Sequence, residues 1–367
     1  MISILHIGMD VHSDKHSLCA FSREETRVVA RSTVPNDVKY ILKFIQSMKS
    51  QHGRDIEIIC GYEAGCLGYS LYRELTEYGV TCKILAPSTI PTVKKDPKTD
   101  LRDAKGIAEA LANGTCSFVN VPTPEDEEIK DYLMLRDDRK GELKRWKQRV
   151  LSYCLRHHLQ YEGKTWSKTH RKWLRTVQVT AMQRKVLDEM LAAIDQAEAS
   201  IAEMEKEIDR ICHLDRYEEN VNKLICLRGI KELTALSFLV EVGDFQRFPN
   251  AGAFASYLGL IPQEHTSNQS RHMGSITKAG NRHLRILLTE SAQCYTRGNV
   301  GYVSKELQKK QSHADPKTIA YANRAKDRLL RKYKRMTHQG KNGNLAKTAV
   351  ARELACFIWG IMNGRTD

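Results

Sequence analysis

The order of apolar and polar positions divides the chain into an α/β part and a helical part. Apolar runs predict five strands, over 2–11, 16–21, 27–34, 56–62 and 80–85. Apolar residues recur at helical spacing after Asn36-Asp37 and over 67–78, and a third helix is predicted from about Asp100. The order β-β-β-α-β-α-β-α predicts a mixed sheet with helices packed on it.

Beyond Pro122 the strand signals fade and helical spacing dominates. Two apolar series recur every seven residues, Leu187/Ile194/Ile201/Ile208 and Met190/Ala197/Met204/Ile211. Four heptads without Gly or Pro favour a coiled coil over an amphipathic helix packed inside its own chain. Its partner is either a second protomer or the preceding helix. We expect a homo-oligomer, a dimer or a tetramer, held together through residues 187–211.

Residues 224–248 are predicted to form two helices around a turn at Gly229. Such a segment is similar to a helix-hairpin-helix, which offers backbone N–H groups to a phosphate. A plain corner between two helices fits the pattern equally well. Together, the patterns predict three domains, over 1–125, 126–219 and 220–367.

The net positive charge of the chain suggests a polyanionic partner. The 58 Lys and Arg exceed the 44 Asp and Glu by 14. The net charge is +11 over 136–185, −8 over 186–219 and +9 over 300–341. This surplus favours nucleic acid over an acidic membrane surface, and a basic but ordinary enzyme is the alternative. In 300–341 one sign dominates, which favours a phosphate-binding helix over a solvated face.

Several classes of protein are excluded or disfavoured. The 10 cysteines form no CxxC pair and no cluster with zinc-ligand spacing. No apolar run reaches the roughly 18 residues of a membrane span, and the first residues do not resemble a signal peptide. We therefore expect free thiols in a reducing cytoplasm and no membrane segment.

Four acidic residues stand where a metal site could form. Asp10 ends the first predicted strand, Glu63 ends the fourth, and Asp100 and Asp103 share one face of a helix start. Singly, such residues are mostly caps or solvated. Together, four carboxylates suit Mg²⁺ and can hold two ions about 3.5–4 Å apart for phosphoryl transfer. Neighbouring cations could neutralise a nucleic-acid backbone: Lys94, Lys95, Lys98 and Arg102.

Two motif blocks resemble a known family. Asp10 in Gly-Met-Asp-Val-His, Glu63 in Tyr-Glu-Ala-Gly, and the stretch 98–104 resemble the DEDD signature of a RuvC-like, ribonuclease-H-type domain. The second block comprises Tyr-Leu-Gly-Leu-Ile-Pro at 257–262, Thr-Ser-Asn at 266–268, Gly-Ser-Ile-Thr-Lys-Ala-Gly-Asn at 274–281 and Leu-Arg at 284–285. Together the blocks resemble the DEDD transposases of bacterial insertion sequences, described as bridge-RNA-guided serine recombinases.

The resemblance implies the role of each part. Residues 1–125 would be the RuvC-like domain, 126–219 a helical linker with the coiled coil, and 220–367 a helical transposase domain. Asp10, Glu63, Asp100 and Asp103 would bind Mg²⁺. Donor and target DNA would be the substrates, and a structured bridge RNA would supply sequence specificity in the bacterial cytoplasm, at the nucleoid.

The resemblance also implies a serine nucleophile that forms a covalent phosphoserine with cleaved DNA. Related sequences carry it in a Ser-Ser-Gly triplet, which is Thr266-Ser267-Asn268 here, so the role falls to Ser267, with Ser270 as the alternative. Nearby cationic groups could neutralise the charge that develops on the phosphate: Arg271, Lys278, Arg282 and Arg285.

Two competing functions remain open at this point. A metal-dependent junction nuclease would keep the four acids, hydrolyse DNA with water and leave Ser267 structural. A nucleic-acid-binding scaffold would carry a degenerate site. ATP is not implied, because strand exchange conserves bond energy and the chain has no Gly-x-x-x-x-Gly-Lys-Ser/Thr loop.

Overall fold

A computed structural model describes residues 2–65, 67–90, 99–267 and 270–366, and gives only the backbone for residues 88, 265–267 and 270–273. The chain separates into two compact units, Met1–Val121 and Pro122–Asp367. The three-domain division expected from the sequence stays a prediction.

The first unit contains the predicted mixed sheet, which is confirmed. Its strands are β1 (Ile4–Val11), β2 (Lys15–Ser22), β3 (Arg27–Pro35), β4 (Glu57–Glu63) and β5 (Thr81–Leu85). Their order in the sheet is β3-β2-β1-β4-β5. β1 pairs antiparallel with β2, and β2 pairs antiparallel with β3. On the other side, β1 pairs parallel with β4, and β4 pairs parallel with β5.

Helices cover both faces of this sheet. They are α1 (Val38–His52), α2 (Ser70–Glu77) and α3 (Asp100–Asn113). Odd-numbered residues of β1, such as Ile7 and Met9, pack into one core with Ile41 of α1 and Leu75 of α2. The even-numbered residues point to the opposite face, where α3 packs, because side chains alternate along a strand. The candidate acids lie on the α3 side.

The second unit is mainly helical, as predicted. Its helices are α4 (Pro124–Arg156), α5 (Lys168–Thr176), α6 (Ala181–Cys212), α7 (Asp215–Ile225), α8 (Glu232–Val242), α9 (Ala251–Tyr257), α10 (Arg282–Ala292), α11 (Lys305–Gln311), α12 (Pro316–His338) and α13 (Gly343–Met362). The predicted turn at Gly229 separates α7 from α8. None of the helices that the structure describes is long and apolar enough to cross a membrane.

An antiparallel hairpin, β6 (Pro262–Ser267) and β7 (Ser270–Ile276), interrupts the helices and was not expected from the sequence. The segment 262–276 is mostly polar and shows no apolar alternation, so its composition carries no strand signal. The strands pair through their backbones instead, with Ser267 opposite Ser270.

The heptad segment forms the single helix α6, which packs antiparallel to α4 of the same chain. Val150 and Tyr153 of α4 share an apolar cluster with Leu187 and Ile194, whereas Leu133 packs near Ile208. The first heptad series is at most 8% exposed. An apolar seam facing water is therefore not a reason for oligomerisation, and assembly through 187–211 stays a prediction.

Candidate functional site

Two glycines on neighbouring strands allow α3 to lie directly on the sheet. Gly8 of β1 is paired with Gly61 of β4. A Cβ atom on Gly8 would lie 2.1 Å from the Ala104 carbonyl oxygen and 2.3 Å from the Ala108 nitrogen. Both distances are far inside van der Waals contact. A side chain at Gly8 would therefore push α3 away from β1.

The acidic residues follow these glycines by two positions. Asp10 and Glu63 face the same side as Gly8 and Gly61, because side chains of a strand alternate with a period of two. The paired register ends at Met9 and Tyr62, so the two acids are the next residues on adjacent parallel strands. The first turn of α3 contains Asp100 and Asp103. All four acids thus lie on the α3 side of the first unit.

Three side chains bring their donor atoms together in an acid cluster. Atoms of Asp10, His12 and Asp100 lie within 4.8 Å of one another. His12 Nε2 is 3.2 Å from Asp10 Oδ2 and 3.9 Å from Asp100 Oδ1. Lys15 Nζ, from β2, lies 3.0 Å from Asp100 Oδ2. Glu63 and Asp103 are not part of this cluster as the structure describes it.

Negative charge is crowded at the cluster. Burial raises the pKa of Asp10, and the carboxylates of Asp103 and Asp100 raise it further, against the opposing effect of His12. At Asp100 the hydrogen bond from Lys15 lowers the pKa. Asp103 is therefore close enough to Asp10 to act on its charge. A cation bound here would relieve the repulsion between the carboxylates.

The residues present fit a divalent metal ion. Carboxylate oxygens suit Mg²⁺ and Mn²⁺, and a neutral imidazole suits the borderline metals. Asp10, Asp100 and His12 would hold such an ion, with Asp103 and Glu63 on adjoining positions. Lys15 would then compete with the ion for Asp100.

The second motif block forms the base of the β6–β7 hairpin. Gly259 and Gly280 both have left-handed backbones, with φ of +65° and +85°. A Cβ on Gly259 would lie 2.1 Å from the Ala279 oxygen, and one on Gly280 would lie 2.0 Å from the Tyr257 oxygen. The two segments therefore interlock at these glycines, which no other residue type could replace without moving the backbone.

Hydrogen bonds close the same base. The amide of Thr277 donates to Ile261 O at 2.9 Å, and that of Lys278 donates to Gly259 O at 3.1 Å. Arg285 donates through its guanidinium to Leu258 O at 2.9 Å. At least part of the Arg285 side chain is therefore committed to the hairpin base. Asn281 caps α10 by accepting from the Leu284 amide at 3.0 Å.

The hairpin places the two candidate nucleophiles opposite each other. Ser267 is the last residue of β6 and Ser270 the first of β7, and they form the last residue pair of the ladder. Ser275 is exposed near the base, in β7.

The predicted nucleic-acid-binding residues have different surroundings. Lys278, with φ of +56°, and Arg282 are exposed. Arg102 is half-buried in the first turn of α3. The side chain of Arg271 lies outside the described part of the chain, as do Lys94, Lys95 and Lys98 entirely.

A partly buried charge network, Asp137, Glu241 and His283, lies beside the hairpin base. His283 of α10 contacts Glu241 of α8 through Nδ1, and its Nε2 is 3.0 Å from Asp137 Oδ2 of α4. The Glu241 side chain is 4% exposed. Asn281 Nδ2 donates to Glu241 Oε2 at 2.7 Å, which links the network to the motif.

The two carboxylates of the network face two cations, His283 and Arg136. Burial alone would lower the pKa of His283, but the hydrogen bonds to Asp137 and Glu241 outweigh it and raise the pKa to about 9. Arg136 also donates to Asp137, at 3.0 Å. At neutral pH a charged imidazole therefore ties three helices together.

His12, Lys15 and the charge network are functional-site candidates that the structure adds to those predicted from the sequence. For His12 a signal existed, since Asp10 and His12 are two apart at a strand end and so share a face. The spacing Gly-x-acid, present at 8–10 and 61–63, was a second signal for a helix lying on the sheet beside the acids. Nothing local in sequence joins Asp137, Glu241 and His283.

Comparisons with known proteins agree with both motif blocks. A DEDD transposase profile of the IS110 type matches residues 7–159, and the profile described as "Transposase IS116/IS110/IS902 family" matches residues 221–307. The transposase for insertion sequence element IS1533 of Leptospira borgpetersenii is 30% identical over 347 residues, which cover 92% of this chain and 98% of that protein.

Two further relatives extend the similarity. The putative transposase y4qE of Sinorhizobium fredii is 33% identical over 302 residues, covering 82% of this chain and 74% of that one. The transposase for insertion sequence element IS1111A of Coxiella burnetii is 24% identical over 307 residues, covering 81% and 79%. The Leptospira protein is similar along nearly the whole chain, and the two transposase profiles match the two motif blocks of this chain. The chain therefore belongs to the IS110/IS116/IS902 family of transposases.

Proposed function

We propose that this transposase cuts and rejoins DNA through a covalent bond to Ser267, with a divalent metal, Mg²⁺, held by the four acids of the first unit. The observation that supports it best is the acid cluster on the α3 side of the sheet, where carboxylates of Asp10 and Asp100 converge with His12. Crowded carboxylates in a protein that acts on DNA are the usual setting for phosphoryl transfer.

The proposed reaction is a transesterification. The Ser267 oxygen forms a bond to phosphorus while the bond from phosphorus to a deoxyribose oxygen breaks. The serine loses its proton, and the leaving oxygen gains one. The phosphoserine keeps the energy of the broken bond, so a DNA hydroxyl can reverse the step on a new strand without ATP.

The chain's own residues would orient the reacting groups. The acids of the first unit would hold the metal, which when bound supplies positive charge to phosphate oxygens. In the second unit, exposed Lys278 and Arg282 flank the hairpin base and would neutralise phosphate charge. Ser267 stands at the far end of that hairpin, beyond the interlocked glycines.

A structured bridge RNA is proposed as the guide that selects donor and target DNA. The supporting observation is the composition, because a net charge of +14 suits backbone binding, whereas base selection can be left to pairing. Nucleic acid that copurifies with the protein is sequenced to test this. One defined, structured RNA is expected, and random fragments would contradict guidance.

The acids are tested by single substitutions. Asp10→Ala, Glu63→Ala, Asp100→Ala and Asp103→Ala should each lower recombination roughly 100-fold or more, since losing a metal removes several kcal/mol of transition-state stabilisation. Glu77→Ala, at an exposed position of α2, is the matched control and should recombine normally. Wild-type recombination by Asp103→Ala would refute the four-acid site.

The nucleophile is tested on a denaturing gel with labelled DNA. Ser267→Ala should lose both cleavage and the covalent adduct, because alanine has no group that can attack phosphorus. Ser270→Ala and Ser275→Ala should keep the adduct. An adduct that persists in Ser267→Ala but disappears in Ser270→Ala would move the assignment across the hairpin. Cleavage without any adduct, in the wild type too, would favour the nuclease that uses water.

A further inference from the structure

One face of α12 carries an arginine row, Arg324, Arg328, Arg331 and Arg335. Successive members are separated by four, three and four residues, a spacing that places side chains on one face of a helix. All four are exposed. With a rise of 1.5 Å per residue, the row is about 16 Å long.

The rest of α12 holds the row in a fixed position. Its opposite face packs into the main core of the second unit through Ala322, Ala325, Leu329 and Leu330. The row borders a groove of about 1050 Å³ whose lining includes residues of α12 and α13. Tyr321 and Phe357 line the groove, and their rings meet edge to face at 5.4 Å. The arginines therefore project from a rigid support.

Among the described residues that line the groove, the four arginines and Lys332 face only two carboxylates, Asp327 and Glu353. Glu353 of α13 contacts Arg328 and also lies 2.6 Å from Lys332 Nζ. Within the part of the chain that the structure describes, no carboxylate lies within 4 Å of the Arg331 or Arg335 guanidinium. Lys326 differs, because it is buried and donates to Tyr302 O at 2.8 Å.

We propose that the arginine row binds the sugar–phosphate backbone of duplex DNA. Each strand of a duplex carries one phosphate per 3.4 Å of axis, so a row about 16 Å long spans roughly four or five phosphates. Guanidinium groups match phosphate oxygens and carry no sequence information when they contact only the backbone. The choice of DNA as partner rests on the proposed function.

The test measures binding of the full-length protein to a fluorescent duplex of about 30 base pairs in EDTA, at several KCl concentrations. Each lost phosphate contact should flatten the plot of log affinity against log salt by about 0.9. Arg331→Gln/Arg335→Gln should therefore flatten the slope by about 2, and should weaken binding equally for duplexes of unrelated sequence. The assay measures binding and not cleavage, so the result does not depend on Ser267 or the acids.

Two control variants separate position from charge. Lys305→Gln/Lys309→Gln removes the same charge from exposed positions of α11, inside the same basic region, and should leave the slope near that of the wild type. Arg331→Lys/Arg335→Lys keeps the charge and should retain most of the slope. Equal flattening in both glutamine variants would overturn the proposal, and so would a loss confined to single-stranded RNA with unchanged binding of duplex DNA.

Discussion

The acid cluster of the first unit and the charge network of the second unit are both groups of polar side chains next to tight glycine contacts, but their charges balance differently. In the cluster, carboxylates face carboxylates, and the pKa of Asp10 is raised by burial and by its acidic neighbours. In the network, His283 lies between Asp137 and Glu241, and opposite charges satisfy each other.

This difference distinguishes a candidate metal site, the acid cluster, from a structural element, the charge network. The cluster keeps a surplus of negative charge, which a bound cation would relieve. In the network the two carboxylates are paired with His283 and Arg136, and these contacts hold α4, α8 and α10 together beside the hairpin base. Burial of charged groups therefore does not by itself indicate chemistry.

The largest expected effect comes from Gly8→Ala, which would separate α3 from the sheet. The new Cβ overlaps backbone atoms of Ala104 and Ala108, so the first unit should lose about 3 kcal/mol of stability. Asp100 and Asp103 would move with α3, and recombination should be lost. Urea unfolding and a recombination assay measure the two effects.

Gly106→Ala is the matched control in the same helix. Nothing lies within 4 Å of its added Cβ, and alanine is favoured over glycine in a helix by about 1 kcal/mol. This variant should therefore be slightly more stable than the wild type and active. Wild-type stability of Gly8→Ala would show that α3 does not depend on close contact with β1.

The next effect is a pH dependence that originates in the network. The folded pKa of His283, about 9, lies above the ordinary value of 6.5, so its stabilisation is complete below about pH 6.5 and is lost as pH rises through 9. His283→Gln should lower the free energy of unfolding at pH 7 by on the order of 3 kcal/mol. The substitution should also flatten the decline between pH 7 and 10.

Urea unfolding at pH 6, 8 and 10 checks this prediction. His338→Gln, at the exposed end of α12, is the control and should follow the wild-type profile. A wild-type decline that persists unchanged in His283→Gln would assign the pH dependence to other groups.

The smallest expected effect on stability differs between two acids of the cluster. A raised folded pKa means that ionised Asp10 costs stability once pH rises through that pKa, so Asp10→Asn should slightly raise the urea midpoint at pH 7 while abolishing recombination. Asp100→Asn should not raise it, because Lys15 stabilises the Asp100 carboxylate in the folded state.

Adding Mg²⁺ sharpens this contrast. A ligand that binds only the folded state raises the midpoint, so Mg²⁺ should stabilise the wild type and His283→Gln but not Asp10→Asn. Equal stabilisation of the wild type and both variants would place the metal elsewhere.

Much of the first unit could be predicted because its local patterns agree with its tertiary structure. The central strands β1 and β4 have mostly apolar sequences, and Asp10 and Glu63 lie at their carboxyl ends. The convergence of His12 and Lys15 with Asp100 could not be predicted in the same way. It depends on where α3 crosses the sheet, and that position is set by contacts across about a hundred residues of chain.

In the second unit, local sequence patterns predict helices but not the contacts between elements. Heptad spacing correctly predicted the helix α6, but periodicity describes one surface and does not name what covers it; here α4 does. The β6–β7 hairpin is held by backbone pairing and interlocked glycines, so its side chains carry no strand pattern. The net positive charge of 136–185 likewise does not reveal that some of its cations form ion pairs. Lys147 and Arg171 both pair with Glu198 of α6.

The α4–α6 pair has a consequence for how the second unit opens. Between Arg136 and Leu143, α4 carries no apolar side chain, and this stretch of about 10 Å separates the main core from the small apolar cluster around Leu187 and Leu174. The small apolar cluster can therefore unfold locally without exposing the main core. In hydrogen exchange, amides of α5 and the adjoining ends of α4 and α6 should form a separate cooperative group, with faster exchange than those of α8 and α13.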